Sequence, residues 1–139
     1  MLPVATIQLD FVTPQGVLVA RWLADAPLAQ LQRDYDAVLA AGQAHRATQW
    51  LFDVRRRPAL SPALLHWLAT DWMPRAVAAN PQPLRAAYLV ARALVPLLRA
   101  NAGLMASFRT VIDPRRPYHL RTFLTEPAAL AWLAQEFGS

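Results

Sequence analysis

Cysteine is absent from the 139 residues. Disulfides, thiolate zinc sites and cysteine nucleophiles are therefore excluded, and the composition suits a reducing compartment, so a cytoplasmic protein is expected. Lysine is absent as well, and the 14 basic positions are all arginine. The net charge of +5 would suit an anionic polymer, but the arginines are spread along the chain apart from Arg55–Arg57 and Arg115–Arg116. No basic stripe or reader motif accompanies them, and nucleic acid is not an expected partner. Glycine occurs four times, at isolated positions, so there is no glycine-rich phosphate loop and no Gly-x-Ser-x-Gly elbow. The three histidines, His45, His66 and His119, lie far apart without zinc-ligand spacing, and no metal or cofactor is expected. No apolar run reaches the roughly 20 residues that span a bilayer. The start, MLPVATIQLDF, lacks a basic n-region and a small-residue cleavage site, so no secretory leader is expected.

Apolar residues make up 55% of the chain and charged ones 17%. That is too apolar for disorder, and the length suits one domain with one core, 1–139. Val4 to Asp10 and Val17 to Trp22 read as strands joined by the turn Thr13-Pro14-Gln15-Gly16, an antiparallel hairpin. Asp25-Ala26-Pro27 opens a helix with Asp25 as its cap. Leu28, Leu31, Tyr35, Val38 and Leu39 form its apolar face, Gln32, Arg33, Asp34 and Asp36 lie mostly opposite, and Gly42 ends it. Gln49 to Val54 is a strand whose successive Trp50, Leu51 and Phe52 imply cover on both faces.

Ser61-Pro62 caps a second helix carrying Leu64, Leu65, Trp67, Leu68 and Trp72, which Pro74 should kink or end near Met73. Asn80 to Pro83 is a loop, and Leu84 to Ala91 a fourth strand. A third helix starts near Pro96 and carries Leu97, Leu98, Leu104, Met105 and Phe108, with Gly103 its weak spot. After the Asp113–Pro117 loop comes a fifth strand, Tyr118 to Leu124. Thr125 then caps a last helix, with Glu126 at its positive end and Leu130, Leu133, Ala134 and Phe137 as its buried stripe. The order β-β-α-β-α-β-α-β-α predicts an α/β fold, a five-stranded mixed sheet with about four helices.

Three segments carry a family resemblance. LFDVRRR is similar to the hydrophobic strand that ends in Asp in STAS domains. SPALLHWLATDWMPRA resembles the second helix of bacterial SpoIIAA-like proteins, and YHLRTFLTEPAALAWL resembles the C-terminal signature of the STAS/Sec14-like branch. The resemblance covers nearly the whole chain through core-packing positions. It implies a STAS/SpoIIAA-like fold and a regulatory, protein-interacting role. Anti-sigma-factor antagonists of this family carry an Asp-Ser-Ser-Gly-type segment with a phosphorylated serine. Here Arg57 to Pro62 stands in that region without the double serine or the glycine, and Ser61 is the one counterpart onto which phosphorylation can be carried.

The residues support two further readings. Arg55, Arg57 and Arg92 follow parallel strands at their carboxyl ends, where open α/β sheets bind ligands. With the helix start at Ser61 they make a candidate site for a small anion or lipid headgroup. Arg56 belongs to the same turn, whose arginines could instead pair with Asp53. Trp72 and Met73, beside Pro74, are a candidate surface for a protein partner or a homodimer. The first expectation is a non-enzymatic regulatory or interaction module, and the alternative is a small-anion binder. The weakest is an enzyme using Asp53 and His66, which would have to converge in one cleft.

Overall fold

The computed structural model describes residues 6–12, 16–57, 61–80, 84–113 and 115–135. Val4, the turn residues Thr13 to Gln15, the proline loop from Pro81 to Pro83, Pro114 and Phe137 lie outside them. The described elements are β1 (Ile7–Val12), β2 (Val17–Trp22), α1 (Leu28–His45) and β3 (Gln49–Asp53). A rod follows, made of α2 (Pro62–Trp67), a π-helical turn (Leu68–Trp72) and α3 (Met73–Ala78). Then come β4 (Leu84–Leu89), α4 (Leu94–Ala100), α5 (Ala102–Val111), β5 (Tyr118–Phe123) and α6 (Glu126–Leu133). The strands form a mixed five-stranded sheet in the order β1-β2-β3-β4-β5. The β1–β2 pair is antiparallel and the others are parallel. No helix among the described residues is long and apolar enough to cross a membrane.

This strand order decides where the helices go. Each parallel connection moves one strand further in the same direction. Right-handed crossovers that all step the same way put their helices on the same face. α1, the α2–α3 rod and α4–α5 accordingly share one face. The register explains the split of side chains, because Leu18, Trp50 and Ala86 are neighbours, as are Ala20, Phe52 and Tyr88. These residues join Tyr35, Leu64, Leu68 and Trp72 in the main core. The alternate positions Val19, Leu51, Ala87 and Leu89 face the other way, where Ala129, Trp132 and Leu133 of α6 cover them. Consecutive Trp50, Leu51 and Phe52 thus serve two cores, as their unbroken apolar run implies.

Several local expectations are corrected. Asp25 does not cap α1. Pro27 is the N-cap residue, without a side-chain cap bond, and Asp25 Oδ1 accepts from the Ala26 amide instead. Leu28 is exposed, whereas Asp34 is buried, accepting from Thr6 Oγ1, Trp22 Nε1 and Gln30 Nε2. α1 does not end at Gly42 but runs on to His45, with Arg46 left-handed at φ 54°. Gly42 is small for another reason: a Cβ there would meet Trp50 Cζ2 at 3.1 Å.

Pro74 does not end the second helix. Met73 donates to the Leu68 carbonyl across a π turn, so the wider ladder just upstream accommodates a residue that lacks an N–H. The third helix breaks at Asn101 rather than Gly103, because Asn101 Oδ1 accepts from the Leu104 amide at 2.9 Å and starts α5. Thr125 is the N-cap residue of α6 but makes no side-chain cap bond. α6 buries Ala129, Trp132 and Leu133, while Leu130 and Ala134 face outward. Leu133 is buried as expected, whereas the rest of the stripe lies one residue, about 100°, round from the expected Leu130 and Ala134.

Candidate functional site

The carboxyl edge of the sheet carries the expected arginines, and its two faces use them differently. On the face covered by α6, Arg21 lies beside Asp53 in the register. Arg21 Nη1 reaches Asp53 Oδ2 at 3.0 Å and Glu126 Oε1 at 2.6 Å. Arg55 folds back on the same carboxylate, with Nε to Oδ1 at 2.9 Å, Nη2 to Oδ2 at 2.8 Å and its amide to Oδ1 at 3.2 Å. Burial alone would raise the Asp53 pKa, but the bonds from Arg55 and Arg21 outweigh it and hold the carboxyl below its ordinary 3.8. Arg55 is thus committed to Asp53, and Arg92 is exposed after β4.

Arg57 goes the other way. Its amide donates to the Val54 carbonyl at 3.0 Å, closing a short turn that sends the side chain beneath the helices. The side chain is 4% exposed. Among the described residues the one carboxylate within reach is Asp25, whose Oδ1 lies 3.5 Å from Nε, the outer limit of a hydrogen bond. The guanidinium carbon stands 5.6 Å from the Trp22 ring centroid, a cation–π contact that offsets part of the desolvation cost.

Arg57 is one wall of a pocket between the sheet edge and the helical layer, with a cavity of about 60 Å³. Leu64, Leu65 and Leu68 of the rod, Phe108 and Val111 of α5, and Val90 and Leu120 from the sheet side make it apolar. Its polar groups are Arg57, Thr122 and the hydroxyls of Tyr35 and Tyr88, which hydrogen-bond to each other at 2.9 Å. Burial raises the pKa of both tyrosines, against the pull of the Arg57 charge, so both are protonated donors at neutral pH. A pocket with apolar walls and a few convergent polar groups is the usual form of a small-molecule site.

The remaining expected residues fall elsewhere. Ser61 Oγ accepts from the Leu64 amide at 3.3 Å, so its hydroxyl is engaged in capping α2. Trp72 and Met73 are 0% and 1% exposed, which contradicts the proposed partner surface. The Trp72 ring packs edge-on against Tyr35, and its Nε1 donates to the Tyr35 carbonyl at 2.8 Å. Asp53 and His66 do not converge: Asp53 shares its face with α6, whereas His66 is exposed on α2 across the sheet. No His and acid cluster suited to a metal ion occurs among the described residues.

The sequence reading places Tyr35 on an apolar helix face and does not single out Tyr88 within its strand. The available signal was chemical: a tyrosine within an apolar stripe brings a hydroxyl that needs a partner. Comparison with protein-family models, with curated proteins and with solved structures found no match for this chain.

Proposed function

We propose that this chain is a non-enzymatic module that binds a small anionic ligand at Arg57, within a STAS/SpoIIAA-like fold. The observation that carries the reading is the buried Arg57 guanidinium, with a single carboxylate 3.5 Å from Nε. Withdrawing an ion from water costs several kcal/mol after relaxation, so buried charges are usually well paired. Beyond Asp25, Arg57 has the Tyr35 hydroxyl and the Trp22 ring beside it but no second carboxylate among the described residues, and it lines a pocket. The expected trio of Arg55, Arg57 and Arg92 reduces to Arg57, because Arg55 is held by Asp53 and Arg92 does not line the pocket. A regulatory role would follow from ligand occupancy rather than from a Trp72 and Met73 surface. Phosphorylation at Ser61 has little support from a hydroxyl already engaged as a cap.

The test is saturable binding of 8-anilinonaphthalene-1-sulfonate, an apolar organic anion whose fluorescence rises in apolar sites. The reading expects one site per chain, retained in Arg55→Met and lost in Arg57→Leu. Equal loss in both variants, or binding insensitive to Arg57, contradicts it.

A further inference from the structure

Resting on that reading, we propose that the pocket is built for a monocarboxylate with an apolar tail, its carboxylate held between Arg57 and the Tyr35–Tyr88 hydroxyl pair. The charge of the head follows from the cations present. Among the described residues Arg57 is the one cation lining the pocket, and Asp25 already offsets part of it. Arg21 and Arg55 are spent on Asp53 and Glu126 on the opposite face, and Arg56 and Arg92 are exposed. A single guanidinium balances a monoanion, whereas a phosphate monoester near neutral pH carries about 1.5 to 2 negative charges.

The shape of the head follows from the donors. An arginine fork matches the two oxygens of a planar carboxylate. In the hydroxyl pair one phenol donates to the other, so the accepting phenol keeps its own proton. That proton has no acceptor among the described residues and can be given to a ligand oxygen. Arg57 hydrogen-bonds Tyr35, which brings the guanidinium and the hydroxyl pair side by side at the pocket wall, and burial keeps both phenols protonated.

The tail follows from the walls. Arg57, Tyr35 and Tyr88 are buried, whereas Leu94, Phe108, Ile112 and Leu120 of the same pocket are half-buried. The polar group therefore lies at the closed end and the apolar side chains flank the mouth. A ligand enters head first, and its chain lies along α5 and β5. This order disfavours a phospholipid headgroup, whose own apolar part would remain outside.

The experiment is isothermal titration of the full chain with decanoate, decyl phosphate, decanol, acetate and inorganic phosphate, beside the anilinonaphthalene sulfonate assay. Expected are 1:1 decanoate binding, at least about tenfold weaker binding of decanol and decyl phosphate, and no saturation by acetate or inorganic phosphate. Arg57→Leu should weaken decanoate by about 100-fold, and Tyr35→Phe with Tyr88→Phe by about tenfold. Both variants should fold, since replacing a buried ion or both members of a buried polar pair by apolar groups is often nearly neutral. Circular dichroism melting checks this. Decyl phosphate binding as tightly as decanoate, or decanol binding equally, overturns the carboxylate assignment. Arg57-dependent sulfonate binding without decanoate binding also overturns it, while leaving the anion site standing. Failure of both ligands removes the site itself.

Discussion

The two faces of the sheet meet at one edge and treat arginine in opposite ways. On the α6 face, Arg21 and Arg55 converge on Asp53, with Glu126 completing a partly exposed ion cluster. On the helical face, Arg57 is buried among leucines and aromatic rings, with Asp25 at 3.5 Å. All three residues are arginines at strand ends, so charge alone does not mark a site. What matters is whether the donors are already used. The first arrangement holds β2, β3 and α6 together, and the second leaves donors facing a cavity.

Substitutions should separate the two faces. The largest effect expected is on binding: Arg57→Leu removes about 100-fold of ligand affinity, whereas Arg55→Met leaves it within about twofold, both read by titration calorimetry. Asp53→Asn should have the reverse profile. It should leave binding intact and cost about 1–2 kcal/mol of stability at neutral pH, read by urea melts. The sign with pH follows from a carboxyl whose folded pKa lies below its ordinary 3.8. Its contribution is fully present above that value and is lost as pH falls through the folded pKa. The gap between native protein and Asp53→Asn should therefore close below pH 3.8.

Two glycines test the packing of the helical face. Gly42→Ala should destabilise by about 1–2 kcal/mol, since its Cβ would meet Trp50 Cζ2 at 3.1 Å. Gly103→Ala, whose nearest neighbour is Asn101 Oδ1 at 3.6 Å, should stabilise by up to about 1 kcal/mol through helix propensity and a less flexible unfolded chain. The smallest effect belongs to Leu130→Ala on α6. Leu130 is 36% exposed, and the change should stay within about 0.5 kcal/mol. A larger loss would mean that α6 buries the stripe expected from sequence.

The fold was legible where periodicity and strand burial agreed. Trp50-Leu51-Phe52 announced a strand covered on both faces, and the alternation of strands with helices announced parallel pairing. The rotation of α6 was not legible, because a short helix rich in alanine and leucine offers more than one apolar stripe. Trp72 and Met73 looked exposable beside Pro74. A π turn lets the helix continue, and it carries Trp72 inward onto Tyr35.

The arginine turn was half legible. Three consecutive arginines at the end of a strand could be located in the sequence, but not told apart. Their fates depend on the turn, in which Arg55 returns to Asp53 and the Arg57 amide bonds to Val54. The hydroxyl pair lay beyond reach for a similar reason. Tyr35 and Tyr88 are 53 residues apart and meet only once α1 and β4 pack on the same face.

The central claim is that the ligand lies on the helical face with its head at Arg57. Isotope-filtered nuclear Overhauser spectra of unlabelled decanoate bound to labelled protein test it most directly. A ligand on the helical face gives contacts from the alkyl chain to Phe108, Val111 and Leu120, and none to Val19, Leu51 or Trp132. Contacts to that second group, or none to the first, would contradict it.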